Sequence, residues 1–407
     1  MILITFAINL TACEENKINT NPFEIDDSIY NSMKNESIAD SGNNYRIKRF
    51  LEKYKSNQDV YIAAIGGSVT EGGGPANYKD GYFYQFARKL SDTYKRNPAA
   101  KTIINDAGLS GTSSALGCIR YQSDVVDCMN HTPDLLIIEF AVNDYQEPTY
   151  AKGYESIIRQ ALLADEETAV IVLCVSANYG NSYAEKAPAA SFYKLPIINM
   201  QKMMENTFQK NIIKNEDYYT DTVHPKTQGH EIIADCIINL IQTLDNADED
   251  SPVIVPAKSL KTPDLGNLKR ISGDDENVKI IAGGFNQIDN NTQQVKKTNS
   301  PAFPQNWHHP KNGSDESFKM EIFCNCLIMA YKEEWAGAKE RTFGKAQVFV
   351  DGKLYATYDG GKDGGWNNTV PVVLIDKDTA ENHTVEIKMD PETPSKAFTI
   401  SALGYSK

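Results

Sequence analysis

The sequence lacks a surplus of positive charge. Its 41 lysines and arginines are outnumbered by 54 aspartates and glutamates, which gives a formal net charge of −13. A chain of this charge, without a basic cluster, repels phosphate backbones and acidic membrane surfaces. We therefore expect no nucleic-acid partner.

The sequence also lacks an apolar run long enough to span a membrane, which takes about 20 residues. Residues 1–13 are mainly apolar, but Glu14-Glu15-Asn16-Lys17 ends the run. Its last four residues, Leu10-Thr11-Ala12-Cys13, resemble the lipobox of bacterial lipoproteins, in which the cysteine is lipidated. This predicts a signal-like segment at 1–13, a lipid anchor at Cys13 and export to the bacterial cell surface. No basic residue precedes Ile2, so a chance apolar end is the alternative.

Cysteine pairs at metal-binding spacing are missing as well. Cys324-Asn325-Cys326 is not followed by a second pair, so we predict no metal site. The cysteines other than Cys13 mostly have apolar neighbours, which is typical of buried free thiols. A bridge between Cys118 and Cys128 stays open as an alternative for an exported protein.

What the sequence does contain predicts two domains. The chain has 407 residues, of which 41% are hydrophobic and 23% charged, and is longer than one core usually grows. Residues 14–44 are rich in Asn, Ser and Asp and read as a tether. Residues 45–245 alternate helix and strand patterns, which indicates an α/β domain with helices on both faces of a parallel sheet. The predicted strands are Val60–Ile65, Thr102–Asp106, Asp134–Phe140, Ala169–Val175 and Pro196–Asn199.

Polar residues follow several of these strands. Gly66-Gly67-Ser68 ends the first, the glycine-rich loop with Gly111 follows the second, and Asn143 follows the third. Asp221 and His224 stand just before the last predicted helix, Thr227 to Leu244. Ligands of parallel sheets bind beyond the carboxyl ends of the strands, so we expect these residues to lie together.

These residue types suit ester hydrolysis. A serine hydroxyl is a poor nucleophile until a neutral imidazole takes its proton, and the imidazole needs a partner that fixes its tautomer. We predict Ser68 as nucleophile, His224 as base and Asp221 as its partner. The oxyanion that forms needs hydrogen-bond donors already aimed at it. The N–H groups of Ser68 and Gly111 and the Asn143 amide would supply three.

Ser68, Gly111, Asn143 and the Asp221/His224 pair, in this order, resemble the SGNH (GDSL-type) hydrolase superfamily over residues 58–244. The resemblance implies a three-layer, flavodoxin-like α/β/α fold and ester hydrolysis without a cofactor. Two positions depart from the usual pattern: Gly67 stands in place of aspartate, and Ala141 in place of glycine. The residues from Ser68 to Gly72, Ser-Val-Thr-Glu-Gly, resemble the carbohydrate-esterase branches instead.

We predict that residues 246–269 are a linker that wraps over the first domain. Residues 270–407 are predicted to form an all-β sandwich or jelly roll. Val350-Asp351-Gly352-Lys353 predicts a type I′ hairpin. Trp307, Trp335 and Trp366 are the only tryptophans, and in loops they would suit stacking on sugar rings. Burial in the sandwich core is the alternative for each. We take Trp366, Trp307 and Arg120 as candidate substrate contacts. For Arg120 the alternative is a structural role, in a salt bridge or as a helix cap.

The two domains together resemble bacterial carbohydrate acetyl esterases. We expect an esterase that removes O-acetyl groups from xylan- or mannan-type polysaccharides or oligosaccharides. Within enzymes, a lipid, short-chain acyl or thioester hydrolase is the alternative, and it would need an apolar acyl groove. A carbohydrate-binding module with an inactive hydrolase half is the alternative of another class. Oligomeric state is left open.

Overall fold

The computed structural model describes residues 21–144, 148–271, 275 and 277–407. The predicted signal-like segment and Cys13 lie outside the described residues. Two compact units are present: one contains the chain up to Ser114 and Ser123–Leu260, the other Ala115–Gln122 and Lys261–Lys407. Among the described helices, none combines the length and the apolar character needed to cross a membrane.

The first unit is built on a six-stranded sheet, with the strand order β1-β6-β5-β4-β2-β3. Every neighbouring pair is parallel except β1 with β6. Strands β4 and β5 are buried throughout, which explains why they read as continuous apolar runs rather than alternating ones. The strands are β1 Ile38–Asp40, β2 Val60–Gly66, β3 Thr102–Gly108, β4 Leu135–Glu139, β5 Ala169–Cys174 and β6 Ile197–Asn199.

Helices cover both faces of this sheet. Leu135 and Ile137 of β4 face one hydrophobic core with helices α1, α2, α3, α8 and α10, whereas Leu136 and Ile138 are buried on the opposite face. The predicted three-layer α/β/α arrangement is confirmed. The helices are α1 Asp27–Ser37, α2 Tyr45–Lys55, α3 Tyr82–Tyr94, α4 Ser114–Arg120, α5 Asp127–Met129, α6 Pro148–Ala164, α7 Tyr183–Phe192, α8 Met200–Gln209, α9 Asn215–Tyr218 and α10 Thr227–Asn246, with a 3₁₀ turn at Tyr78–Asp80 and a π-helical turn at Tyr121–Val126.

Residues 14–44 are expected to be a tether, but residues 27–40 among them form helix α1 and strand β1 of the first unit. Within it, α1 packs Tyr30 and Met33 into the core, and β1 pairs with β6. Tyr30 donates a hydrogen bond to the buried Asp235 of α10 at 2.6 Å. Its polar composition hid the few apolar side chains that attach it to the domain. A tether is therefore wrong for residues 27–40.

The segment after α10 lies along the first unit. Asn44 donates its side-chain amide to the Asp248 carbonyl at 2.7 Å, and Arg159 donates to the Pro256 carbonyl at 2.9 Å. From Lys261 onward the chain belongs to the second unit.

The second unit is antiparallel β structure around its own hydrophobic core. Asp351 and Gly352 both have positive φ, 51° and 74°, so the predicted type I′ hairpin is present. The sequence pattern of residues 369–374 and 383–389 predicts two strands, but both belong to one strand of 22 residues, β15 Asn368–Met389. The strands are β7 Lys269–Arg270, β8 Val278–Ile281, β9 Gln294–Val295, β10 Ser300–Pro301, β11 Trp307–His309, β12 Phe318–Glu333, β13 Lys345–Val350, β14 Lys353–Asp359, β15 Asn368–Met389 and β16 Phe398–Ser406.

The six cysteines in the described residues are all free thiols. Five are buried, as their apolar neighbours predict, while Cys128 is exposed. The bridge between Cys118 and Cys128 that the sequence left open is not formed.

Candidate active site

The register of the parallel sheet brings three strand ends to one place. Gly66 at the end of β2 pairs with Gly108 of β3 on one side and with Glu139 of β4 on the other. Leu109 then donates its N–H to the Gly66 carbonyl at 3.0 Å, and Gly67 donates to the Glu139 carbonyl at 3.3 Å. The segments with Ser68, Gly111 and Asn143 therefore leave the sheet side by side.

Three of the predicted residues are in direct hydrogen-bond contact. His224 Nε2 lies 2.8 Å from Ser68 Oγ, and His224 Nδ1 lies 2.7 Å from Asp221 Oδ2. A carboxylate can only accept, so Nδ1 carries the proton of the neutral ring and Nε2 is free to accept the serine proton. A proton can thus pass from Ser68 Oγ to His224 Nε2.

Asp221 is held by its own turn. Its Oδ1 accepts the N–H groups of Val223 at 2.8 Å and His224 at 2.9 Å, while Oδ2 faces the ring. Partial burial acts to raise the pKa of this carboxyl, but the hydrogen bonds from His224 and Val223 hold it below its ordinary value. Asp221, whose side chain is 51% exposed, is therefore ionised at neutral pH.

The ring of His224 rests on a glycine turn. A Cβ at Gly73 would lie 2.9 Å from His224 Cδ2, so only glycine permits this contact. Gly73 is fixed in turn by the buried His230, whose Nε2 donates to the Gly73 carbonyl at 2.9 Å and whose Nδ1 accepts the Tyr82 N–H at 3.0 Å. His230 is a packed residue of helix α10. Nothing in the sequence marks Gly73 apart from the abundance of glycine near Ser68.

Asn143 lies against the turn that carries Ser68. A Cβ at Gly67 would be 2.0 Å from Asn143 Oδ1, which is closer than any real contact. This is the physical reason why glycine occupies a position where the sequence pattern leads one to expect aspartate. The Asn143 amide thus lies against the backbone immediately before Ser68.

Gly111 is on the neighbouring loop, in the left-handed conformation with φ of 64°. The preceding residue, Ser110, donates both its N–H, at 3.1 Å, and its hydroxyl to the Glu71 carboxylate. Glu71 follows Ser68 by three residues and is buried. Surface solvation is the default expectation for such a carboxylate, and it is wrong here because Glu71 ties the Gly111 loop to the nucleophile segment.

A second carboxyl, Glu139, lies beneath the site and is 0% exposed. Its Oε2 accepts from Thr70 at 3.2 Å, and Thr70 also contacts the Tyr82 hydroxyl at 3.0 Å. Burial raises the pKa of Glu139 to about 7, against the opposing hydrogen bonds from Thr70 and the backbone. Glu139 is not predictable from the sequence, because an acidic residue at a strand end normally marks the surface.

The candidate substrate contacts differ in their exposure to solvent. Arg120 is only 1% exposed, which favours its structural alternative. Trp307 is on strand β11 and packs edge-on against Phe318 of the second unit's core, with ring centroids 5.7 Å apart, so it is not a loop residue. Trp366 is 45% exposed, and Trp335 is likewise exposed. The backbone N–H of Trp335 donates to the side-chain oxygen of Asn367 at 3.2 Å. Asn367 is next to Trp366, so the two tryptophans lie on adjoining loops.

The chain is similar to known proteins in sequence family and in fold. Residues 64–232 match the model of the GDSL-like lipase/acylhydrolase family. The fold is similar to that of a two-domain esterase active on acetylated mannans, with a TM-score of 0.77 and 23% identity over 92% of this chain and 99% of that chain. A crystal structure of a two-domain esterase of the same description, obtained with mannopentaose, matches with a TM-score of 0.76 and 22% identity over 92% of this chain and 98% of that chain. Among curated proteins no match was found. Residues 64–232 are thus similar to the GDSL-like lipase/acylhydrolase family, and the fold of the chain is that of the two-domain esterases.

Proposed function

We propose that this protein is a serine esterase that removes O-acetyl groups from mannan- or xylan-type polysaccharides or their oligosaccharides. The observation that carries the proposal is the unbroken line of contacts from Ser68 Oγ through His224 to Asp221, at 2.8 and 2.7 Å. These distances are those of an activated nucleophile at rest.

Acylation begins when Ser68 Oγ attacks the acetyl carbonyl carbon and its proton moves to His224 Nε2. The carbonyl oxygen becomes an oxyanion, which accepts hydrogen bonds from the N–H groups of Ser68 and Gly111 and from the Asn143 amide. As the C–O bond to the sugar breaks, His224 gives its proton to the leaving sugar oxygen. The products of this half are the free sugar hydroxyl and acetyl-Ser68.

Deacylation repeats the chemistry with water. His224 takes a proton from a water molecule whose oxygen attacks the acetyl carbon, and returns that proton to Ser68 Oγ as acetate leaves. Asp221 keeps the Nδ1 proton in place throughout and stabilises the imidazolium formed in each half.

The choice of an acetylated glycan rests on two supports. Proteins of the same two-domain fold are described as esterases active on acetylated mannans. In addition, Trp335 and Trp366 expose aromatic faces on adjoining loops of the second unit, and such faces stack on the apolar C–H surface of sugar rings. We infer that these loops, rather than Trp307, contact the glycan.

The test is release of acetate from acetylated mannan and acetylated xylan, with a series of p-nitrophenyl esters of increasing chain length beside them. The wild type should release acetate and should lose activity as the acyl chain lengthens. Ser68→Ala should abolish acetate release while the fold is retained. Equal turnover by the two proteins, or a preference for long acyl chains, would contradict the proposal.

We also propose that the protein is exported and anchored through a lipid on Cys13. The support is the Leu10-Thr11-Ala12-Cys13 pattern. Expression in a bacterium with a labelled fatty acid should label the wild type but not Cys13→Ser. Equal labelling of both, or of neither, would reject the anchor.

A further inference from the structure

Asp144 connects two of the three segments that supply oxyanion donors. It follows Asn143 directly and is 1% exposed. Its Oδ1 accepts the N–H of Ser114 at 2.8 Å, and Ser114 begins helix α4 directly after the loop that contains Gly111. One carboxylate therefore links the Asn143 turn to the Gly111 loop.

Lys186 of α7 is the counter-ion of Asp144. Its ammonium group contacts Asp144 Oδ2, and the lysine is 0% exposed. The Nζ also lies 4.5 Å from the centre of the Tyr154 ring. A second contact holds the same turn. Ser182, the residue before α7, donates its N–H at 2.8 Å and its hydroxyl at 2.7 Å to the Ala141 carbonyl. None of these groups has a part in the proton transfers proposed above.

The Gly111 loop is thus held at both ends by buried carboxylates. Glu71, from the Ser68 segment, accepts from Ser110, and Asp144, from the Asn143 turn, accepts from Ser114. Gly111 lies between these two anchor points. A loop rich in glycine and serine has little rigidity of its own, so its N–H direction depends on such anchors.

We propose that Asp144, with Lys186 as its counter-ion, is a positioning residue that holds the Gly111 N–H and the Asn143 amide in a fixed relation, so that both face one oxyanion. This inference rests on the proposed serine-esterase function. Donors stabilise a transition state only when they are already aimed at the developing charge. Misplacement by about 1 Å is enough to cost about 10²-fold in rate.

The experiment compares two double variants, Asp144→Leu/Lys186→Met and Asp144→Asn/Lys186→Met. Neither contains a buried unpaired charge, which avoids the strong destabilisation that follows when one partner of a buried pair is removed. They differ in one respect, because asparagine retains an acceptor for the Ser114 N–H and leucine does not. If the leucine variant does not fold, Asp144→Ala/Lys186→Met replaces it in the same comparison.

The readouts are kcat and KM for p-nitrophenyl acetate and the inhibition constant of a small boronic acid, which forms a tetrahedral adduct with the nucleophile. We expect the leucine variant to lose about 10²-fold in kcat with KM nearly unchanged, and to bind the boronic acid more weakly by a similar factor. The asparagine variant should stay close to the wild type in all three. A purely structural role would change thermal unfolding but not this split between kcat and KM.

Lys89→Met/Asp235→Leu is the control, since Lys89 and Asp235 form an ion pair at 2.7 Å in the same unit, outside the proposed site. It should retain wild-type kcat. The inference is overturned if the leucine and asparagine variants have equal kcat, or if the loss appears in KM alone. Failure of the proposed function is a separate result, because Ser68→Ala would then remain active.

Discussion

Around Ser68 the residues are packed so closely that two positions have no room for a side chain. Gly67 and Gly73 each lie where a Cβ would collide with a side chain of the site, at 2.0 Å from Asn143 Oδ1 and 2.9 Å from His224 Cδ2. The absence of these side chains leaves the room that the Asn143 amide and the His224 ring occupy. A substitution there should therefore affect catalysis before it affects folding.

Gly67→Ala tests this. The new methyl group must displace the Asn143 amide, and removing one oxyanion donor costs about 10²–10³ in kcat. We expect a loss of that size with little change in thermal unfolding. Asn143→Ala should show a similar loss, and the double variant should be scarcely worse than either, since both remove the same donor. Wild-type kcat in Gly67→Ala would show that the Asn143 amide is not a donor.

Glu139 predicts a dependence of stability on pH. Its pKa is raised from 4.5 in an ordinary environment to about 7 in the fold. Between these values the unfolded chain has lost the proton that the folded protein keeps, so stability falls as pH rises through this window and is then constant. The full effect is about 3 kcal/mol.

Glu139→Gln removes this titration while keeping an acceptor for Thr70. Chemical denaturation of the wild type and the variant from pH 4 to pH 8 gives the comparison. The unfolding free energy of the wild type relative to the variant should fall across the window. A constant difference would show that Glu139 does not hold a proton in the folded state.

Ser68, Asp221 and His224 were predictable because each is a reactive residue type beside the end of a strand or the start of a helix. The sheet then determines where those ends meet. Glu71, Glu139 and Lys186 were not predictable in the same way. A charged residue near a loop normally lies at the surface, and only tertiary contacts show that these three are buried.

Among the elements, α1 is the one whose role differs most from expectation. Only Tyr30, Met33 and Ser37 of its eleven residues are buried, so its composition resembles that of a tether. Its attachment depends on a few contacts with α8 and α10, and elements attached in this way carry no strong periodic signal. The 22-residue β15 was missed for a related reason, because its polar middle reads as a turn between two strands.

Met33→Ala tests whether α1 is part of the folded domain. Removing a buried methionine side chain costs about 2–5 kcal/mol when the site does not collapse. The exposed neighbour Ser32 gives a matched control, since Ser32→Ala should change the unfolding free energy by less than about 0.5 kcal/mol. Equal stabilities of the two variants, measured by urea denaturation, would show that α1 is not docked.

At the scale of the whole molecule, the chain joins an α/β unit, which contains Ser68, His224 and Asp221, to an antiparallel β unit that exposes Trp335 and Trp366. The change in composition at 246–269 predicted a linker, and the division between the two units lies within it, after Leu260. The family resemblance of the first unit followed from five residues. Which tryptophans of the second unit are exposed did not follow, because loop and strand tryptophans look alike in sequence.

Trp366→Ala should reduce activity on acetylated mannan, mainly through KM, because one stacking surface is lost. Activity on p-nitrophenyl acetate, which has no sugar to stack, should be unchanged. Phe323→Ala is the control, since Phe323 is 44% exposed in the same unit, compared with 45% for Trp366. A parallel loss on both substrates would mean that Trp366 supports the fold instead.

The central claim is that Ser68 is the nucleophile that His224 activates. Its most direct test is mass spectrometry of the protein after reaction with a fluorophosphonate, which modifies activated serines covalently. We predict one modification, on the peptide that contains Ser68, and none in Ser68→Ala or His224→Ala. Modification of a different residue, or undiminished modification of His224→Ala, would contradict the claim.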